Sequence, residues 1–492
     1  MGCRSYSIET PEAASELIAR AQDRDWRPPV RNVSFAAMTP NSPHPDGLVR
    51  TLGPFAAGAF VITNMIGSGI FTVPAFVRVA TGSAMASLGV WLAAGLLGLC
   101  GALCYSELAT RMPRAGGEYR FLTEGFGQLW GFLSGWTSFV VGFSAAVAAS
   151  SLGVAAYVAP LVEGWDPDAL VAGGVTEGAA AAAALILVLT AVHCIGVRWS
   201  GGVQTTLATL VLAAITLLLL AGFSSGNGSW SGLTAATSPE SNWWVALLQV
   251  TYAYAGWNAA AYIAGEVARP NRNLPIAIIG GTTFVIVAYL LLNVLFFYAV
   301  PEVRWEPTIA IGAVAAERLF GDTGALAVSG MIALAMFGSV SAMTAVGPRI
   351  YYAMARDGFA PRALSRTSAR GTAPVAAIVA QGVLAALLAL TGAFEALLIY
   401  IGSSLLLFNA LTIATVFVIR RRGMGQGESV FQTPLHPLPA LVFIGITLAA
   451  WINGLIGAPV PTGAALATLA LGACVYLTGQ RLGWFVSPSP GP

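Results

Sequence analysis

Residues 53–78 read GPFAAGAFVITNMIGSGIFTVPAFVR, an apolar run interrupted at its middle by Ile66-Gly67-Ser68-Gly69-Ile70. About 20 apolar residues cross the hydrocarbon core of a bilayer, so the run predicts a membrane span. Two glycines around a serine oppose a continuous helix, each costing about 1 kcal/mol relative to alanine. A second run, 242–265, carries a softer interruption at Ala253-Tyr254-Ala255-Gly256-Trp257-Asn258. A lone Gly-Ser-Gly in an apolar run is commonly a packing notch. A second break five spans later is instead the mark of carriers built from inverted repeats. Where a membrane helix unwinds, its N–H and C=O groups lose their partners, so such backbone survives only beside a cavity, water or substrate. Amides that start a half-helix attract a carboxylate. Freed carbonyls at the end of the opposing half-helix suit an ammonium group, and the two breaks together make a receptor for a zwitterion.

The rest of the chain agrees with a membrane setting. Of 492 residues, 56% are hydrophobic and 9% charged, against roughly 25% charged in soluble proteins. That composition excludes a soluble globular protein and a disordered one. Twelve apolar stretches are predicted as spans, at about 53–78, 84–108, 128–160, 179–197, 202–222, 242–265, 275–300, 324–353, 374–391, 394–419, 438–455 and 461–478. Residues 1–50 hold no span and read as a mostly disordered cytoplasmic segment, with a short helix from Thr10 to Arg20. They match neither a secretory signal nor a myristoylation site, since Tyr6 stands where Ser or Thr is required. Residues 51–419 are expected as a ten-helix transport core, 420–480 as two peripheral helices and 481–492 as a disordered cytoplasmic tail. All 24 basic residues are arginine, and with a cytoplasmic N-terminus 21 of them fall inside and only Arg78, Arg304 and Arg318 outside. The positive-inside rule therefore places both termini in the cytoplasm, and the plasma (inner) membrane is the expected location. A net charge of +2 gives no reason for a nucleic-acid partner. The cysteines (Cys3, Cys100, Cys104, Cys194, Cys474) form neither a metal-ligand spacing nor a disulfide framework. No metal and no cofactor are indicated.

Further runs stand in order along these spans. GALCYSELATRMPRAGGEY covers Gly101–Tyr119, and Tyr252 to Asn258 is followed by Glu266 and by PNRNLPIA at Pro270–Ala277. RIYYAMARDG covers Arg349–Gly358. With IGSGIFTVP at Ile66–Pro74, the chain resembles the amino acid–polyamine–organocation superfamily over roughly residues 50–480. The likeness is greatest to the L-type amino acid transporter branch and its bacterial relatives. The resemblance implies an all-α polytopic membrane protein of twelve transmembrane helices. Ten would form a five-plus-five inverted-repeat (LeuT-like) core with helices 1 and 6 discontinuous. It implies alternating access around one mid-membrane amino-acid site. Carried onto this chain, Ile66, Gly67, Ser68 and Gly69 offer amides, and Ser68 its hydroxyl, to a substrate carboxylate. Ile66, Tyr252, Ala253 and Ala255 offer carbonyls to its amino group, while Tyr254 and Gly256 complete the unwound segment. Tyr252 takes the place of an aromatic outer gate, often Phe in the family. Asn258 braces the unwound span, or equally serves as an interhelical hydrogen bond.

Other polar residues receive plainer readings. Glu107, Glu118, Glu266, Arg349 and Asp357 lie at span ends or in inner loops and read as inner-gate and loop-anchoring groups. His193 reads as a satisfied interface histidine ahead of a proton relay. Trp130, Trp136, Trp230, Trp243 and Trp244 read as interfacial anchors. Apart from span ends, no Asp or Glu is embedded in a membrane segment, which favours neutral L-amino acids over a cationic amino acid or polyamine. Residues 161–178 between spans 3 and 4 lack the cysteine by which L-type light chains join a heavy chain, so no disulfide-linked partner is expected. Asn227-Gly228-Ser229 fits a glycosylation site only in a secretory context. Many family members place a lysine in span 5, where Val211 stands here. Valine carries no proton, which leaves three readings: exchange or facilitation, favoured here; a sodium ion on span 1 carbonyls with Ser341 and Thr344; or another proton carrier. A channel would want filter or charge rings, an enzyme a His/Asp/Glu cluster, HExxH or GxSxG in a fitting context. A nutrient sensor on the same fold is the remaining alternative. The sequence sets no oligomeric state.

Overall fold

The computed structural model describes residues 50–114, 116–195, 200–234, 242–301, 305–306, 308, 310–367, 374–392, 394–425 and 430–485. Residues 1–49 and 486–492, with the short helix expected at 10–20 and the Pro-rich end of the tail, lie outside them. The first span is split into α1 (Pro54–Met65) and α2 (Ser68–Thr81). Next come α3 (Ala84–Arg111), α4 (Glu118–Phe126) and α5 (Gln128–Thr137), a π-helical stretch Ser138–Ala145, and α6 (Ala146–Val158). A small hairpin, β1 (Leu170–Ala172) with β2 (Val175–Thr176), precedes α7 (Glu177–Ile195), α8 (Ser200–Ser224) and α9 (Ser231–Thr234). The second broken span is α10 (Trp243–Ala253) and α11 (Ala259–Tyr262), followed by α12 (Pro270–Pro275), a π-helical turn Ile276–Gly280 and α13 (Gly281–Ala299). Last come α14 (Ile311–Val346), α15 (Pro348–Arg356), α16 (Val375–Ala389), α17 (Phe394–Arg422), α18 (Leu438–Gly457) and α19 (Pro459–Arg481).

Local chemistry accounts for these elements. Pro54 and Pro270 sit in first turns, where a missing N–H is harmless. The Ser83 hydroxyl caps α3 by accepting the Ala86 N–H at 3.0 Å. Within the spans, hydroxyls find partners one turn back: Thr63 donates to the Ala59 carbonyl, Thr72 to Ser68, Ser106 to Ala102 and Thr282 to Ile278. That is how polar side chains are accommodated in an apolar bundle.

Among the described residues, ten helices are long and apolar enough to cross a membrane, and the chain is a polytopic helical membrane protein. Two of the twelve predicted stretches are not among these ten: 242–265 is divided between α10 and α11, and 374–391 forms the shorter, 15-residue α16. α14 is two helical segments joined at Gly321, whose φ 71° and ψ −174° are not helical. The segment after Gly321 corresponds to the stretch predicted from 324, and the one before it, which carries Glu317 and Arg318, lies outside every predicted stretch. The α1–α2 pair is the most enclosed of the spans, packing on α8, α10 and α14, while α8, α18 and α19 are the most exposed. Their outward leucines, isoleucines and valines suit lipid rather than water. Asn227 is tied down, its side-chain amide donating to the Leu319 carbonyl at 2.8 Å.

Candidate substrate site

The two interruptions meet. α1 stops at Met65, Ile66 (φ −77°, ψ 86°) and Gly67 (φ −131°, ψ −145°) leave the helical region, and α2 starts at Ser68. α10 stops at Ala253 and helix resumes at Ala259, with Gly256 at φ 104° between them. That left-handed conformation favours glycine, and space demands it too, since an added Cβ would lie 2.8 Å from the Asn64 carbonyl oxygen. A Cβ on Gly69 would lie 2.7 Å from the Cβ of Ala253. Each break therefore rests on the other through a glycine, Gly69 on Ala253 and Gly256 on Asn64.

Beside this junction is a cavity of about 70 Å³, several times the roughly 10–15 Å³ that one water needs. Of the residues expected at the site, Gly67, Ser68, Gly69, Tyr252, Ala253, Ala255, Gly256 and Asn258 line it. Ile66 and Tyr254 do not. Ile66 is fully buried in the core, and Tyr254 turns away to pack on Trp91 and Tyr289, at ring-centroid distances of 5.8 Å and 5.0 Å. Asn64, Ser138, Phe143, Ser150, Tyr262, Ser339 and Asn409 are among the lining residues that sequence reasoning missed. Their polar members carried a faint signal, as hydroxyls and amides spaced along otherwise apolar spans.

The freed backbone groups are partly satisfied by the protein itself. The Gly67 amide, expected to face a carboxylate, donates to the Met65 carbonyl at 2.9 Å, and the Tyr252 carbonyl accepts from Ala255 N–H at 2.9 Å. Tyr289, on α13, bridges both breaks, its hydroxyl reaching the Met65 carbonyl at 2.5 Å and the Ala253 carbonyl at 3.0 Å. The Ser68 and Gly69 amides remain as the first groups of α2, which have no acceptor within their own helix. The Ser68 hydroxyl lies 2.6 Å from the Tyr252 hydroxyl and 3.1 Å from that of Ser150, linking α2, α10 and α6 over the cavity. Also in the lining, Asn258 Nδ2 donates to Glu118 Oε1 at 2.7 Å and to the Tyr262 hydroxyl at 3.1 Å.

The three residues weighed for coupling lie outside the cavity lining. Val211 is buried in α8. The Ser341 hydroxyl is 3.0 Å from His193 Nε2, and Thr344 donates to its own helix at Val340. Ser339 and Met343 are the α14 residues that reach the cavity instead. The ionic residues form clamps between elements. Glu107 accepts from Arg111 and, through both oxygens, from Arg420, and also takes the Thr433 N–H at 2.8 Å. Arg349 pairs with Glu266 at 2.7 Å, and Asp357 takes both Arg120 and the Tyr119 hydroxyl. Trp136 differs from the interfacial reading, being part-buried with its indole N–H on the Thr468 carbonyl at 3.0 Å. Cys100, Cys104, Cys194 and Cys474 are free thiols.

Comparison with known proteins identifies similar chains. Residues 52–477 match the family described as amino acid permease. The b(0,+)-type amino acid transporter 1 of Oryctolagus cuniculus is 32% identical over 393 residues, covering 77% of this chain and 78% of that protein. The large neutral amino acids transporter small subunit 2 of Homo sapiens is 29% identical over 442 residues, covering 88% of this chain and 81% of that one. The serine/threonine exchanger SteT of Bacillus subtilis is 29% identical over 407 residues, covering 81% and 90%.

Proposed function

The chain belongs to the amino acid permease family, of the amino acid–polyamine–organocation superfamily, and from that premise we propose that it is a secondary carrier of neutral L-amino acids working by alternating access. It is an integral membrane protein, and its relatives are named transporters rather than enzymes. The observation that carries the proposal is the meeting of two broken helices at one cavity, with the amides of Ser68 and Gly69 at its wall. Those amides receive the substrate carboxylate, and carbonyls of the unwound segment of the second broken span, Ala255 among them, receive its amino group. In this reading the chain crosses the membrane twelve times, with the ten-helix inverted-repeat core followed by α18 and α19 at its edge. The arginine distribution supports cytoplasmic termini in the plasma membrane. The cysteine-free segment 161–178 supports a carrier without a disulfide-linked heavy chain.

One finding bears on side-chain charge. Glu118, assigned from sequence to an inner loop, is a buried carboxyl touching the cavity residues Asn258 and Tyr262. Its Oε1 already accepts three donors, so it is engaged with the protein rather than offered to a cationic substrate. Counterflow of labelled amino acids into proteoliposomes tests the whole reading. Saturable counterflow of neutral amino acids is expected, and its loss in Gly67→Val, whose side chain would strike Ser339. Arginine or lysine as the best substrate would overturn the neutral assignment, and no counterflow with any amino acid would overturn the carrier.

A further inference from the structure

Glu118 is the first residue of α4, a nine-residue helix outside the spans, yet it is only 2% exposed. One oxygen, Oε1, accepts from Asn258 Nδ2 at 2.7 Å, the Tyr105 hydroxyl at 2.8 Å and the Tyr262 hydroxyl at 3.0 Å. Tyr105 belongs to α3 and lies 2.9 Å from Asn409 Oδ1 of α17. Asn258, Tyr262 and Asn409 all line the cavity. A single carboxyl group thus ties together, under the cavity floor, the elements that must part if substrate is to leave at this end. The titratable groups facing it are the Tyr105 and Tyr262 hydroxyls, and Asn258 and Asn409 are neutral. The nearest charged pair, Arg120 with Asp357, lies two residues along α4 and is partly exposed. Glu107 is held by Arg111 and Arg420, and Arg422 of α17 reaches the Glu124 carbonyl at the far end of α4. Among the described residues no arginine or histidine forms an ion pair with Glu118. Burial pushes its carboxyl above the usual carboxylate range, against the pull of the three donors.

We propose that Glu118 is a proton-binding site whose occupancy is linked to opening of the cavity at the α4 end, a proposal that rests on the carrier reading above. With the floor closed the carboxyl is shielded from water, and a proton on Oε2 leaves all three bonds to Oε1 in place. When the unwound segment moves aside to release substrate, water reaches the group, the charged form is hydrated and the proton departs. Linkage fixes the sign. The closed form binds the proton more tightly, so acid on the α4 face favours closure and slows release, while alkali speeds it. For one proton the steepest dependence is about tenfold per pH unit.

The test is exchange of labelled substrate in proteoliposomes, with each compartment taken in turn from neutral to acid while the other is held constant. Wild type is expected to slow on acidification of one compartment, towards the one-proton limit of about tenfold per pH unit. Glu118→Gln is expected to flatten that profile whatever its absolute rate, and Glu118→Asp to keep a profile with a displaced midpoint. Because the closed form holds the proton, substrate that enters from the α4 face and closes the cavity should take a proton up, which a pH-indicator dye reports for wild type and the Asp variant but not for the Gln variant. A Gln variant that keeps the wild-type slope and proton uptake overturns the proton site and leaves the carrier standing. So does a wild type that exchanges substrate with no pH dependence and no proton uptake. Wild type that exchanges nothing at any pH overturns both. Should Glu118→Gln fail to fold, the Asp midpoint and the wild-type dye signal decide.

Discussion

Replacing Gly69 by alanine tests whether the two broken spans are held together by backbone contact. The new Cβ would sit 2.7 Å from the Ala253 Cβ, whereas non-bonded carbons rest at about 3.5–4.0 Å. The junction must therefore open by about 1 Å. Neither side yields cheaply, because Ala253 has no rotamer to change and its carbonyl is held by Tyr289. Overpacking of this kind costs about 1–3 kcal/mol. If the strain falls on the site, it displaces the Ser68 and Gly69 amides from α10 and weakens substrate binding by about 5–150-fold. If it falls on the fold, it lowers the thermal midpoint. The assays are half-saturation for counterflow in proteoliposomes and thermal unfolding of the purified protein. Gly58→Ala, in the same span, is the control: its Cβ would meet only the Ala277 Cα at 3.9 Å, an ordinary contact, and helix propensity should add up to about 1 kcal/mol. A Gly69→Ala protein with wild-type half-saturation and midpoint, or a Gly58→Ala protein that is the more damaged, would refute the packing argument.

Three more predictions follow from the same contacts. Tyr289→Phe should cost about 1–3 kcal/mol by stranding the Ala253 carbonyl, while Tyr254→Phe should be near neutral, its hydroxyl having no hydrogen-bond partner among the described residues; equal losses in thermal unfolding would count against the bridge. Tyr252→Phe should cost about 1 kcal/mol, and Ser68→Ala should add less in that background than in wild type, because the two hydroxyls share one bond; strict additivity in the double-mutant cycle would argue against it. Arg420→Ala should destabilise by about 1.5–3 kcal/mol, the worth of a hydrogen bond to a charged group, since the buried Glu107 keeps Arg111 and the Thr433 N–H. A thermal midpoint unchanged by that substitution would show the clamp to be idle.

Both breaks were legible because glycine and polar residues at mid-span are costly and few explanations fit them. Gly67 leaves the helical region just before α2, and Gly256 turns left-handed, where the apolar runs falter. The partners of those breaks were not legible. Tyr289 is one aromatic in a long apolar run, and nothing local says that its hydroxyl closes on carbonyls of two other spans. A faint cue existed in Asn293 one turn later, a second polar group in the same run, which donates back to the Tyr289 carbonyl. The reading of Glu118 as an inner-gate or loop-anchoring group did not extend to its burial. It sits in a polar connection with Arg114 and Arg120, while Asn258, Tyr262 and the Asn409 that meets Tyr105, which help enclose it, are distant in sequence. It lies outside the spans, so the expectation that no Asp or Glu is embedded in one, span ends apart, is untouched by it. The segment of α14 before Gly321 was not legible as helix from hydropathy, because Glu317 and Arg318 leave it no apolar run of span length.

The π-helical stretch Ser138–Ala145 has a consequence for chain length. Its backbone bonds close over five residues rather than four, so each wide turn accommodates one residue more than an α-turn. Removing one residue there would let a wide turn close as an α-turn, which covers about the same rotation with one residue fewer, so Ser150 should keep its place beside Ser68. Removing one residue from the flanking α-helical turns, 128–137 or 146–149, would instead rotate Ser150 by about 100° away from Ser68. The wide turns of span 3 thus absorb a change of residue count that its α-helical turns do not. Counterflow lost on deletion between 138 and 145 but kept on deletion between 128 and 137 would refute this.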